Sequence, residues 1–184
     1  MNTSLSVCVY CGSRTPESSA LKNIAVTLGE RLVSQHWKLV YGGGKVGMMG
    51  IIADTVLEHN GEVIGVIPTS LMKAEVAHTG IQQLIETPNM HSRKAKMEAL
   101  SDAFVVLPGG FGTLDEFFEI LTWRQLGFHN KPIFLVNMDG YFDGLLQFCA
   151  SAFDHNFLRP ESLELFETVE NADQIIERIR EYYA

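Results

Sequence analysis

Positive charge is scarce in this chain of 184 residues, where 14 lysines and arginines face 22 aspartates and glutamates for a net charge of −8. Without a basic face, binding to nucleic acid or to an anionic membrane has no electrostatic footing. A small anionic ligand stays open, because a few local cations and backbone amides suffice to hold one. Long hydrophobic runs are also missing, and the opening residues MNTSLSVCVYCGS carry neither a basic segment nor a sustained apolar one. A membrane span needs about 18 apolar residues, so a soluble, cytoplasmic protein is expected. Cysteine is sparse and odd in number, at three. Cys8 and Cys11 form a CxxC, but no second CxxC or nearby histidine pair completes a metal site. In a strand, residues three apart point to opposite faces, so this pair reads as strand packing. Linkers, repeats and low-complexity tracts are absent as well, leaving one domain over residues 1–184.

What is present is a regular alternation. Short apolar runs predict strands at 5–10, 38–41, 62–67, 82–86, 103–107, 132–137 and 166–169. Segments of helical period predict helices near 17–35, 47–59, 91–101, 113–126, 141–154 and 171–182. Thr15 before Pro16 reads as a helix start, and Asn171 with Gln174 as a capping box. Strands that are apolar throughout, alternating with helices, imply a parallel sheet covered on both faces. The expected fold class is α/β: a single Rossmann-like domain with a doubly wound, mainly parallel sheet of about seven strands.

Such sheets bind ligands beyond the carboxyl ends of their strands. The loops there read CGSR (11–14), YGGGKVG (41–47), IPTSLM (67–72), ETPNMHSRK (86–94) and LPGGFGT (107–113). Glycine allows close backbone approach, and the helix that follows aims N–H groups at an anion. Three such turns together favour a phosphate cradle, with Ser13, Gly43, Gly44, Gly109, Gly110 and Gly112 as candidates, although tight β–α turns also prefer glycine on their own account. GGGKVG fits the dinucleotide pattern formally, but Glu62 begins the next strand instead of ending it, and Lys45-Val46 lacks the Ser/Thr of a Walker loop. Neither NAD nor a nucleoside triphosphate is implied.

Helical phase singles out two further residues. In 91–101, Arg93 shares a stripe with Met97 and Leu100. A charged residue there either lies along the core by its stem or meets a buried anion. Lys94 is a second cation at a helix start, where the dipole disfavours it unless an anion is near. In 113–126, Leu114, Phe117, Phe118 and Leu121 form the expected core stripe. Glu116 instead shares a face with Ile120 and Trp123, and Asp115 lines up with Glu119 and Thr122. Thr113-Leu114-Asp115-Glu116 also reads as a capping box. Capping and catalysis stand level for Glu116 on local sequence.

PGGFGTLDE (108–116) and NMHSRKAKM (89–97), with CGS (11–13), YGGGKVGMMG (41–50) and TWRQLGFHNKP (122–132), together resemble the LOG (LONELY GUY) family of cytokinin riboside 5′-monophosphate phosphoribohydrolases. Members of that family often carry a "lysine decarboxylase" label. The resemblance spans nearly the whole chain. It implies hydrolysis of the N-glycosidic bond of a purine nucleoside 5′-monophosphate, AMP or a cytokinin nucleotide, with no cofactor, in a homodimer whose active sites lie near the subunit interface. It places the family's essential arginine and glutamate on Arg93 and Glu116. It places nucleotide contacts on Glu75, Lys94, the run Gly110, Phe111, Gly112, Thr113, Leu114, Asp115 and Glu116, and Thr122. Asp115 stands where relatives often have glutamate. Amino-acid decarboxylation needs an electron sink such as PLP on a lysine, and no lysine here is marked out for it.

Cleaving a ribosyl C–N bond builds positive charge at the anomeric carbon. A carboxylate stabilises that charge and activates water, the role expected of Glu116. Glycine amides of 42–44 and 109–113 hold the 5′-phosphate, Arg93 sets Glu116 or meets the ribose, and Met90 and Trp123 border the base. Two other readings remain open at this point: a nucleotide-binding carrier or sensor without turnover, and an enzyme of the same fold acting on another phosphorylated sugar.

Overall fold

The computed structural model describes residues 4–72 and 77–184. The sheet is built from β1 (Ser6–Tyr10), β2 (Lys38–Tyr41), β3 (Val63–Pro68), β4 (Gln83–Thr87), β5 (Ala103–Val106), β6 (Ile133–Val136) and β7 (Glu167–Val169). The helices are α1 (Ser19–Ser34), α2 (Gly47–Glu58), α3 (Thr69–Met72), α4 (Met90–Ala99), α5 (Phe111–Gln125), α6 (Asp143–Asp154) and α7 (Ala172–Tyr182). All pairings are parallel, in the order β4-β3-β2-β1-β5-β6-β7.

Alternation along each strand divides the core in two. Val7, Val9, Leu39, Tyr41, Val105 and Val136 meet residues of α1, α2 and α7, such as Leu28, Ile52 and Ile175. On the opposite face Cys8, Tyr10, Val40, Phe104, Val106 and Leu135 meet Met97 of α4 and Phe117 and Ile120 of α5. Cys8 and Cys11 fall in these two separate layers, as the strand reading requires. The chain winds outward from β1 to β4, returns, and winds the other way from β5. The β1–β5 seam is therefore the point where the winding reverses, and ligand crevices form beyond the strand ends at such a point.

Two helix starts differ from expectation. α1 begins at Ser19, capped by Ser18, whose hydroxyl accepts from the Leu21 N–H at 3.4 Å. Residues 11–17 are then free to form a loop, and the Thr15-Pro16 start does not exist. α5 begins at Phe111 with Gly110 as its cap residue, two positions before the expected start. Thr113 and Glu116 are thus inside the helix and do not form a capping box. The pair at α7 is borne out with a one-residue shift. Asn171 accepts from the Gln174 N–H at 3.0 Å, and Gln174 accepts from the Glu170 N–H at 2.7 Å. The four-residue α3 was not foreseen, being too short to show a period.

Candidate active site

Three loops are stitched together at the seam. The Gly12 N–H donates to the Pro108 carbonyl at 3.1 Å, and the Met48 N–H donates to the Gly12 carbonyl at 3.0 Å. The contact is close because Gly47 carries no side chain: a Cβ there would run into Ser13 and Arg14, and its φ of 66° favours glycine. Between the loops lies a cavity of about 540 Å³. Its walls are the β1 loop with Ser13 and Arg14, the turn from Pro108 to Thr113, Met48 and Met49 of α2, Met90 and Arg93 of α4, Glu116 and Tyr141.

Two long helices open on this cavity by their N-termini, α2 and α5, and neither has a side-chain cap. By contrast α1, α4 and α7 are capped by Ser18, Asn89 and Asn171. Among the described residues no hydrogen bond is made by the N–H groups of Gly110, Phe111, Gly112 or Thr113. Free first-turn amides at the positive end of a helix dipole suit an anion, and phosphate above all.

Beneath them sits a buried ion pair. Arg93 Nη1 lies 3.0 Å from Glu116 Oε1, with the side chains only 9% and 8% exposed. Arg93 Nε donates to the Val66 carbonyl at 3.0 Å, and Nη2 reaches the Gly42 carbonyl at 3.5 Å. The guanidinium occupies the space a Cβ on Gly42 would fill. Glu116 is pushed up to about 7, chiefly by burial; Arg93 opposes the rise and Asp115 adds to it. A carboxyl with that value exchanges its proton near neutrality, as a general base or acid must. Cys11 also borders the cavity, but burial pushes its thiol up and keeps it protonated.

The buried face of α5 is turned from the expected stripe, with Phe117 common to both. The buried residues are Thr113, Glu116, Phe117 and Ile120, whereas Leu114, Phe118 and Leu121 are half-buried. Apolar count alone leaves Glu116 off the buried side, because the carboxylate becomes tolerable inside only through Arg93, which lies on another helix. Lys94 is buried too, and points away from the cavity toward Asp115 at 3.0 Å and toward Glu119. Its partners on α5 are the anion that the helix-start argument demanded. They hold the ammonium's affinity for its proton up against burial, which alone would lower it.

The cavity thus gathers Ser13, Met90, Arg93, Gly109, Gly110, Phe111, Gly112, Thr113 and Glu116 from the expected set. Lys94, Asp115 and Thr122 lie on the outer side of α4 and α5, Leu114 is half-buried on α5, and Trp123 shares the outer groove with Asp115 and Thr122. Gly43 and Gly44 do not line the cavity. Gly43, at φ 73°, packs on Ile67 and Leu84 and accepts from the His78 N–H at 2.8 Å, while Gly44 bridges Ala77. Glu75 lies outside the described residues. Arg14, Met48, Met49, Leu71 and Tyr141 line the cavity without having been singled out. The signal for Arg14 was its place in the CGSR loop; Tyr141, beyond β6, carried none.

Known proteins resemble the chain in sequence and in fold. Residues 49–179 match the family described as "Possible lysine decarboxylase". The cytokinin riboside 5′-monophosphate phosphoribohydrolases LOG3 and LOG1 of Arabidopsis thaliana are 42% and 40% identical to the chain. Each match covers 96% of this chain, and 82% and 83% of those proteins. Among solved structures, the molybdenum cofactor binding protein of Rippkaea orientalis superposes with a TM-score of 0.74 at 20% identity, over 99% of both chains. The Moco carrier protein of Chlamydomonas reinhardtii gives 0.71 at 18%, over 97% of both. At such identity these two speak for the fold alone.

Proposed function

The chain belongs to the family of cytokinin riboside 5′-monophosphate phosphoribohydrolases, which shares the "Possible lysine decarboxylase" description, and from that membership we propose how its site works. The enzyme hydrolyses the N-glycosidic bond of a purine nucleoside 5′-monophosphate. Water adds across C1′–N, so the ribose 5-phosphate takes the hydroxyl and the base leaves with the proton. The observation that carries this reading is the buried Arg93–Glu116 pair, 3.0 Å apart, set in one cavity below helix amides that make no hydrogen bond among the described residues.

In this mechanism the 5′-phosphate rests on the amides of Gly110 to Thr113, with Ser13 and Arg14 closing over it from the β1 loop. Anchoring the phosphate fixes the distance from C1′ to Glu116. The carboxylate of Glu116 faces the sugar, stabilises the positive charge developing at C1′ and takes a proton from the attacking water. Arg93, held by two backbone carbonyls, keeps Glu116 in place and favours its ionised form. Met48, Met49 and Met90 offer soft, adaptable walls for the base. Among the described residues no lysine lines the cavity, so a Schiff base to a decarboxylation cofactor has no anchor there.

The working molecule is a cytoplasmic homodimer with AMP or a cytokinin nucleotide as substrate. Support for the dimer comes from the outer face of α5, where Leu114, Phe118 and Leu121 stay half-buried beside Thr122 and Trp123. Thr122, Lys94 and Asp115, remote from the cavity within one chain, serve the site from that boundary.

The test is a panel of nucleotides incubated with the enzyme and chromatographed for free base. AMP or isopentenyl-AMP should release base, and adenosine should not. Glu116→Gln and Arg93→Ala should fold yet lose at least about a thousandfold in kcat. Turnover near wild type in either variant removes the mechanism, and binding without cleavage by the wild type would leave a carrier.

A further inference from the structure

The turn that is to hold phosphate is unusually bare. Gly109, Gly110 and Gly112 fall within four residues, and a Cβ added at Gly110 or Gly112 would meet nothing within 4 Å. Gly109 lies against Thr113 and Gly12, but Gly110 and Gly112 have no such packing, and glycine backbone samples many conformations. A brace therefore has to come from elsewhere. The Tyr141 hydroxyl donates to the Gly109 carbonyl at 2.8 Å, across 32 residues of sequence.

Tyr141 is delivered by a segment built for the purpose. It follows Asp139 and Gly140, whose φ angles are 52° and 70°. A left-handed aspartate is uncommon and costs conformational energy. The conformation is held by Asn137, which accepts from the Phe142 N–H at 2.7 Å and donates to Asp143 at 2.7 Å. The Tyr141 ring stacks edge-on against buried Phe142, with centroids 4.9 Å apart. Yet Tyr141 itself is 47% exposed and lines the cavity. A tyrosine serving only the core would be buried; this one spends its hydroxyl on a cavity turn.

We propose that Tyr141 is a positioning residue for the 5′-phosphate, its hydroxyl bond to the Gly109 carbonyl fixing the Gly109–Gly110 peptide plane and with it the Gly110 N–H. The two groups belong to one trans peptide and point in opposite directions, so holding the carbonyl sets the amide. The residue acts through the turn and touches no reacting atom. The inference rests on the phosphate site described above.

Tyr141→Phe removes the hydroxyl and keeps the ring. Its KM for AMP, and the dissociation constant for ribose 5-phosphate measured by calorimetry, should rise together by about five- to tenfold, the usual worth of one hydrogen bond. kcat should stay within about twofold of wild type, since the bond acts equally before and at the transition state. Adenosine, which lacks the phosphate, should bind both proteins alike. Unchanged ribose 5-phosphate affinity in Tyr141→Phe overturns the proposal. So does a fall in kcat with phosphate affinity intact, or a loss shared equally by adenosine. The calorimetry needs no turnover, so this result is separable from the fate of the hydrolytic reading.

Discussion

At the scale of single residues, the decisive quantity is the protonation of Glu116. Burial lifts its carboxyl to about 7 against the pull of Arg93. If the ionised form is the working one, kcat/KM rises with pH through a midpoint near 7, because this parameter reports the free enzyme. Asp115 pushes the midpoint upward by its negative charge. Asp115→Asn removes that charge and leaves Lys94 less neutralised, so the midpoint should move to lower pH. A pH–rate profile checks both, and a limb that ignores Asp115→Asn would detach it from Glu116. The motif letters pick out Arg93 and Glu116 and offer their pairing as one of two roles for the arginine; the meeting of the two helices decides for the pair. Gly42 shows the same limit. As a sequence letter it reads as phosphate loop; in the fold it is the vacancy the guanidinium fills.

At the scale of elements, α4 and α5 must hold a fixed register for the ion pair to form. Lys94, next to Arg93, grips Asp115 and Glu119, which flank Glu116 on α5. Lys94→Met leaves two carboxylates without their partner near a third. The midpoint of kcat/KM should then move to higher pH, opposite to Asp115→Asn. Stability should fall by about 1–3 kcal/mol, since Lys94 is buried although Asp115 is largely exposed; urea unfolding measures it. All the strands were legible, the inner five as short, largely apolar runs bounded by glycine or polar turns and the edge strands β4 and β7 as shorter apolar patches among exposed polar residues. Helix interiors were legible as well. Helix starts were less so: Thr15-Pro16 offers a good local cap, but residues 11–16 wall the cavity, and Ser18 serves instead. At α5 the cap residue is a glycine with no side-chain bond, and no capping rule finds an end left open.

At the scale of the whole molecule, the reversal between β1 and β5 decides where everything else goes. Alternation implies a parallel sheet, but strand order follows from which edges meet, and local pattern does not encode that. The proposed dimer belongs to this scale too. Sedimentation velocity should give twice the 20.5 kDa chain mass, and Thr122→Arg, at an exposed position on the outer face of α5, should return the single-chain value. Wild-type protein sedimenting as a monomer would remove the interface. The stitching at the seam also bears on how the chain acquires its shape. Gly12 binds Pro108, and the Ser6 N–H donates to Asp102 at 2.7 Å, so the first strand closes against residues almost a hundred positions later. Closing so large a loop is slow, and its entropy must be met before the contacts repay it. During synthesis the first half of the chain can pair β1 to β4 on one side only, while the other edge of β1 waits for β5 to emerge. The cavity therefore comes into being when the two halves join, and recovered activity after unfolding is a clock for that event.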